Sequence, residues 1–221
     1  SSAGLVESSS YVFRNALTRK IQAQFLAEYS INTLQLRRFV ILHPLEPFGE
    51  ELKSEFLKTV EAFGGEIVGI ASYDRSQTDF KNQILELGGI ADDDLSRIAR
   101  EQLLVNEEQE DFSDPAVLSR PRVDMEHWSE DGIENLKISL ELGYDAMFIP
   151  GVYDKVGLII PQLAFYNIEK ISLLGAKGWN SPELIKMGGK FLKSVYFVDG
   201  FFSESHDIRV SSFVNLFEAT Y

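Results

Sequence analysis

Apolar residues in this chain fall into short continuous runs, separated by stretches in which they recur every three or four positions. Over residues 18–34, Ile21, Phe25, Ala27 and Ile31 lie at roughly helical spacing, with Thr18 placed to cap the N-terminus. The next segment, RRFVILHP, carries the run Phe39, Val40, Ile41 and Leu42, stopped by Pro44. A run of that kind predicts a strand buried on both faces of a parallel sheet. Residues 50–63 are amphipathic, with Leu52, Phe56, Leu57 and Val60 inward, and the pair Gly64-Gly65 closes the helix. A second buried strand is expected at 66–72 (EIVGIAS), followed by a helix from a Thr78 cap to Leu87. Further on, strands are expected at 144–150, 171–175 and 194–200, and helices at 155–166 and 182–187.

Five strand signals separated by helices predict an α/β fold: a doubly wound, mainly parallel five-stranded sheet in the flavodoxin-like order 2-1-3-4-5, with helices on both faces. The rhythm breaks over 91–134, where 14 acidic residues stand against 4 basic ones, so that −10 of the chain's formal −13 lies there. This stretch reads as an acidic insertion, helical at ADDDLSRIAREQLL and then a loop, and a helix over 133–142 leads back into the third strand. The charge opposes a nucleic-acid partner, because such binding rests on Lys and Arg displacing counterions from phosphates. No apolar run approaches the roughly 20 residues of a membrane-spanning helix. Cysteine is absent, which removes disulfides, thiolate metal sites and thiol nucleophiles. The Ser-rich opening SSAGLVESSS, without an initiator Met, reads as part of a longer protein.

Chemical motifs are sparse. The chain holds no GxxxxGK[ST], no GxGxxG after a strand and no GxSxG, so phosphate-loop, dinucleotide and common hydrolase readings lack support, and no cofactor is expected. His127 lies among carboxylates in DMEHWSED, without the convergent spacing of a metal site. His43 ends the first strand, where it serves either as a site residue or as a structural hydrogen-bonding group. In the expected topology the loops HPLEPFG, SYDRSQT, PGVYDK and GAKGWNSP share one rim of the sheet. They bring Phe48, Tyr73, Tyr153 and Trp179 together with Asp154, Lys177, Asn180 and Ser181. Aromatics with a few polar groups suit a small-molecule site better than a catalytic constellation.

The order of these motifs resembles a known family. RRFVILHPLEPFGEELKSEFLKTVEAFGGEIVGIASYDRSQTDFKNQI is similar to the type I periplasmic binding proteins that bind branched-chain amino acids: strand, Tyr-Gly loop, helix ending in Gly-Gly, strand, and a Thr-Asp-Phe helix start. YDAMFIPGVYDKVGLIIPQLAFYNIEKISLLGAKGWNSPEL and SVYFVDGFFSES resemble the rest of that family's second lobe, YVFRNALT its crossing between lobes, and FVNLFEATY the start of its return helix. The resemblance implies a tail and crossing at 1–17, a ligand-binding lobe at 18–205, and a return helix from 206 to 221. Phe48 stands where the family has a Tyr before Gly, and Val152 and Tyr153 match its ligand-facing loop. Lys177 stands where amino-acid binders carry an acid that holds the ligand's ammonium, which implies preference for a carboxylate or another anion.

The expected function is thus recognition of a small polar metabolite, an amino acid or organic acid, without bond chemistry. The setting would be periplasmic or extracytoplasmic, for an ABC importer or a receptor, with a membrane permease as partner. PQLAFYNI and LLGAKGWNSPEL also resemble penicillin-binding-protein activator lipoproteins, which would imply a lipid-anchored protein that docks a cell-wall synthase.

Overall fold

The computed structural model describes residues 17–89, 142–166, 168 and 170–221. They form an all-parallel sheet of five strands in the order β2-β1-β3-β4-β5, the order that the pattern predicts. The strands are β1 (Arg38–Pro44), β2 (Glu66–Tyr73), β3 (Ala146–Ile149), β4 (Ser172–Gly175) and β5 (Val195–Phe197). The longer helices are α1 (Arg19–Asn32), α2 (Pro47–Ala62), α3 (Lys81–Leu87), α4 (Tyr153–Phe165), α5 (Pro182–Gly188) and α6 (Ile208–Thr220). The acidic insertion, His127 and residues 11–16 of the crossing lie outside the described residues, as does the helix expected over 133–142 except for Leu142.

Alternation along β1 and β3 divides the core into two layers. Phe39 and Ile41, with Ala146 and Phe148, face a layer built on Ala23, Leu26 and Ile31 of α1 and on Leu52, Phe56 and Val60 of α2. Val40 and Leu42, with Met147 and Ile149, face the opposite layer, which takes Ile84 from α3, Val156, Ile159 and Ile160 from α4, and Leu184 from α5. The Phe56 ring stacks on Phe148 at 4.2 Å between centroids and meets Phe39 edge-on at 5.7 Å. Register at the amino edge is held by one carboxylate: Asp145 Oδ2 accepts the backbone N–H groups of Arg37 and Arg38, each at 2.8 Å. The Asp145 N–H donates to Arg38 O at 2.8 Å and its carbonyl accepts from Ser172 N at 3.0 Å, so β1, β3 and β4 start in step.

Three local expectations are corrected. Thr18 caps α1 through its hydroxyl, which accepts from Ile21 N, but the buried face is Gln22, Ala23, Leu26, Ala27, Ser30 and Ile31. Ile21 and Phe25 are 49% and 59% exposed, because the packed stripe of small residues lets α1 lie close to α2. Helix α3 starts at Lys81 and not at Thr78: its first N–H groups are met by tertiary and loop partners. Asp79 Oδ1 accepts Lys81 N at 2.9 Å, and Gln162 of α4 reaches across to accept Phe80 N at 2.8 Å while donating to Thr78 O at 2.9 Å. Helix α2 begins at Pro47, earlier than the amphipathic pattern shows, since proline in the first turn lacks only an N–H that the helix leaves unpaired.

Truncating Phe56 to Ala removes a fully buried ring and is expected to cost about 3–5 kcal/mol, whereas Phe25→Ala should stay within about 0.5 kcal/mol of the parent. Urea unfolding of both variants checks this; equal losses would contradict the placement of the α1 face.

Candidate functional site

Because every strand runs the same way, the chain leaves the sheet five times along one edge, and the helices that follow begin there. Pairing of Pro44 with Tyr73 at the ends of β1 and β2, and a bond from Leu45 N to Tyr73 O at 2.9 Å, draws the first two loops together. Between them and the start of α4 lies a groove of about 380 Å³. Its apolar wall is Pro44, Phe48, Val152 and Tyr153; its polar groups belong to Glu46, Tyr73, Arg75, Asp154 and Lys155. Five of the residues singled out in the sequence therefore meet here: Phe48, Tyr73, Val152, Tyr153 and Asp154.

The charges are arranged in a definite way. Arg75 Nη1 stands 3.4 Å from Glu46 Oε1 on an arm whose side chain is 83% exposed. Lys155 Nζ donates to Gln77 O at 2.9 Å. Tyr73 is 1% exposed, packs edge-on against Phe80, and its hydroxyl has no hydrogen-bond partner among the described residues. Burial raises its pKa far above that of a free phenol, and the carboxylates of Asp154 and Glu46 push it in the same direction. The hydroxyl is thus an O–H donor throughout the physiological range. A side chain on Gly151 would collide with this hydroxyl, so the glycine lets the β3–α4 loop cross close above it.

The remaining residues singled out in the sequence sit elsewhere. His43 is buried on the α2 side of β1, its Nδ1 lying 3.2 Å from Pro44 O and 3.3 Å from Glu50 Oε1. Trp179 is 1% exposed; its indole N–H donates to Ile149 O at 3.0 Å and its ring lies flat over Gly175, where any side chain would clash. Lys177 and Asn180 form a second polar group around Asp199, with Lys177 Nζ 3.8 Å from Asp199 Oδ1 and Asn180 Nδ2 donating to Asp199 Oδ2. The backbone of Lys177 is held by Gln22 of α1, whose Oε1 accepts Lys177 N at 3.1 Å. Gly178 packs on Gly151 and Val152, so this group borders the groove without lining it.

Sequence reading missed Glu46, Arg75 and Lys155, although each lies inside a loop already placed on the rim. The available signal was their position in HPLEPFG, SYDRSQT and PGVYDK. Asp199 was missed because the rim was traced only through the fourth strand. Among the described residues no three His, Asp or Glu side chains gather as metal ligands.

No protein-family model and no curated protein matches the chain. Solved structures do. A putative branched-chain amino acid ABC transporter protein from Rhodospirillum rubrum is 16% identical with a TM-score of 0.67, matched over 100% of this chain and 48% of its own. The branched-chain amino acid transporter substrate binding protein LivJ from Streptococcus pneumoniae, in complex with isoleucine, is 17% identical with a TM-score of 0.61 over the same shares. A solute binding protein of an ABC transporter from R. palustris, in complex with benzoate, is 17% identical with a TM-score of 0.56, over 95% of this chain and 43% of its own. The fold is that of one lobe of the type I periplasmic binding proteins, and the chain spans about half the length of these structures.

Burial of His43 lowers its pKa below the ordinary value of about 6.5, the nearby Lys53 pushes it the same way, and Pro44 O and Glu50 oppose them. Above that ordinary value both folded and unfolded chains carry a neutral ring. As pH falls below it, the unfolded chain takes up a proton that the native site resists, and stability drops until the folded value is passed. The melting temperature of the parent relative to His43→Gln should therefore fall on acidification from pH 7.5 to pH 5. Parallel pH profiles for the two proteins would contradict it.

Proposed function

We propose that this lobe supplies one wall of a cleft that binds a small polar solute, as part of an extracytoplasmic substrate-binding protein of an ABC importer or a receptor. The observation that carries the reading is the groove: Phe48, Val152 and Tyr153 give apolar walls and Glu46, Tyr73, Arg75, Asp154 and Lys155 give polar groups, all at the carboxyl edge of a parallel sheet. Three features support binding over catalysis. The groove is broad and open toward solvent. Its one strongly perturbed group, the Tyr73 hydroxyl, is held in its neutral form and so is no nucleophile. Structures with this fold include proteins in complex with isoleucine and with benzoate, bound as solutes of transporters.

In this reading a second lobe closes over the groove and traps the solute. Closure expels water from the aromatic walls, so that apolar burial adds to the polar contacts. Lys177, Asn180 and Asp199 border the groove through Gly178 and extend its polar margin. His43 and Trp179 act from behind: His43 supports the start of α2 through Glu50, and Trp179 fixes the β4 loop on Ile149.

The test is a thermal melt of the full-length protein with a panel of amino acids, amines and organic acids. At a ligand concentration 100 times its Kd, preferential binding to the native state adds about 2.7 kcal/mol, visible as a rise of several degrees. Tyr153→Ala should erase the response. A panel without effect, together with capture of a cell-wall synthase, would replace this reading by docking of the penicillin-binding-protein activator kind.

A further inference from the structure

We infer that two copies of this chain associate through α1, the helices side by side and antiparallel, with Ile21, Phe25 and Tyr29 of each forming a shared apolar seam. What calls for a partner is the inverted character of the helix. Its buried face includes the polar Gln22 and Ser30 beside Ala23, Leu26, Ala27 and Ile31, while Ile21, Phe25 and Tyr29 stand outside. The three recur every four residues and so line one stripe, and the rings of Phe25 and Tyr29 stack at 6.4 Å with their planes 9° apart. Single apolar residues are ordinary on a surface. An aligned stripe, on a helix that buries a glutamine and a serine instead, is not accounted for by the packing of one chain.

Charge says which partner fits. Along one flank of the stripe, facing the crevice between α1 and α2, lie Lys20, Gln24 and Glu28. Lys20 and Glu28 are exposed, and neither makes an ion pair or hydrogen bond with any described residue. They stand about 12 Å apart along the axis, too far to pair with each other. The crevice's other charges, Glu55 and Lys58, meet each other at 3.1 Å and leave the sign pattern of this flank to α1. A two-fold axis passing beside Gln24, perpendicular to the helices, maps the flank onto itself in reverse. Lys20 of each copy then opposes Glu28 of the other, so that two lone charges become two reciprocal pairs. The same operation sets Ile21 of each copy near Tyr29 of the other and brings the two Phe25 rings to the centre.

The position of the stripe argues against a lobe closing over the groove as its occupant. Helix α1 starts at the carboxyl rim, where Gln22 holds the Lys177 backbone, and runs toward the amino edge. Phe25 and Tyr29 lie about 9 and 15 Å along it from Arg19, away from the loops that such a lobe would meet. Size sets the strength. A helix of 14 residues is about 21 Å long, and two such faces fall short of the roughly 800 Å² per partner of a standard stable interface. The pair should therefore dissociate in the micromolar range. It is absent from the dilute solutions in which unfolding is followed, so Phe25→Ala remains near-neutral there.

Sedimentation equilibrium of the full-length protein, from low to high micromolar loading, tests this, with melting temperatures of the dilute variants as a check on folding. The parent should pass from monomer to dimer over that range, and Phe25→Glu should remain monomeric. Lys20→Glu and Glu28→Lys should each weaken association by about tenfold or more, because each brings like charges together at two symmetric places. The variant carrying both changes restores the two pairs with their signs exchanged and should associate within about threefold of the parent. A parent that stays monomeric at the highest loading, a dimer indifferent to these changes, or a double variant no stronger than the single ones overturns the pairing. So does a monomer in which Phe25→Cys resists alkylation, which would assign the stripe to another part of the chain.

Discussion

The structure depends on the burial of β1 and β3 on both faces. A strand whose every side chain must leave water needs a packed layer above and another below, and only a sheet covered by helices on both sides supplies them. Phe39 and Ile41 have α1 and α2; Val40 and Leu42 have α3, α4 and α5. Helical crossovers of that kind return the chain to the same edge each time, so the parallel direction of the strands follows from the burial. So does the site: the loops that leave β1, β2 and β3 have no choice but to meet.

What meets at that edge is governed by backbone as much as by side chains. Helices α2 and α4 both begin there, each with its partial positive charge directed at the rim, and each has a carboxylate at its start, Glu46 and Asp154. The helices make acidic residues stable at these positions, and the acidic residues in turn offset the positive charge that the helix ends alone would present. Gly151 and Gly178 let two loops approach until backbone touches backbone, which brings the Lys177 group to the border of the groove. Behind the rim, Gln162 ties the α3 loop to α4 and Asp145 aligns three strands at the far edge, so the open side is carried by a framework fixed at both ends.

Much of this was legible in the sequence. Continuous apolar runs such as Phe39 to Leu42 and the Gly64-Gly65 stop are one-dimensional signals of burial and of helix termination; they mark five strands separated by helices, for which 2-1-3-4-5 is a natural order. The rim followed from topology, and Phe48, Tyr73, Val152, Tyr153 and Asp154 do share one groove. Less legible was anything set by a distant partner. Spacing alone could not show that α1 would bury Ala23 and Ser30 and leave Phe25 outside, because that choice belongs to the close approach of α2. Nor could Thr78 reveal that Gln162, more than 80 positions away, would take over the work of a cap. Trp179 read as a rim aromatic, yet the bare backbone of Gly175 drew its ring into the core.

Lys177 shows why a single charged position is a poor guide to specificity. Taken alone it implies an anion. In the folded chain it stands beside Asp199, itself bonded to Asn180, and the three together present little net field. Arg75 likewise stands beside Glu46. The described charges on this rim are thus mostly compensated in sequence-distant pairs, and specificity passes to whatever the pairing leaves over. At this rim the remainder is the Asp154 carboxylate, the Lys155 ammonium, which bonds only to a carbonyl, and a buried phenolic O–H without a partner. Polar capacity left unpaired between aromatic walls is what the proposed solute-binding reading of this rim draws on.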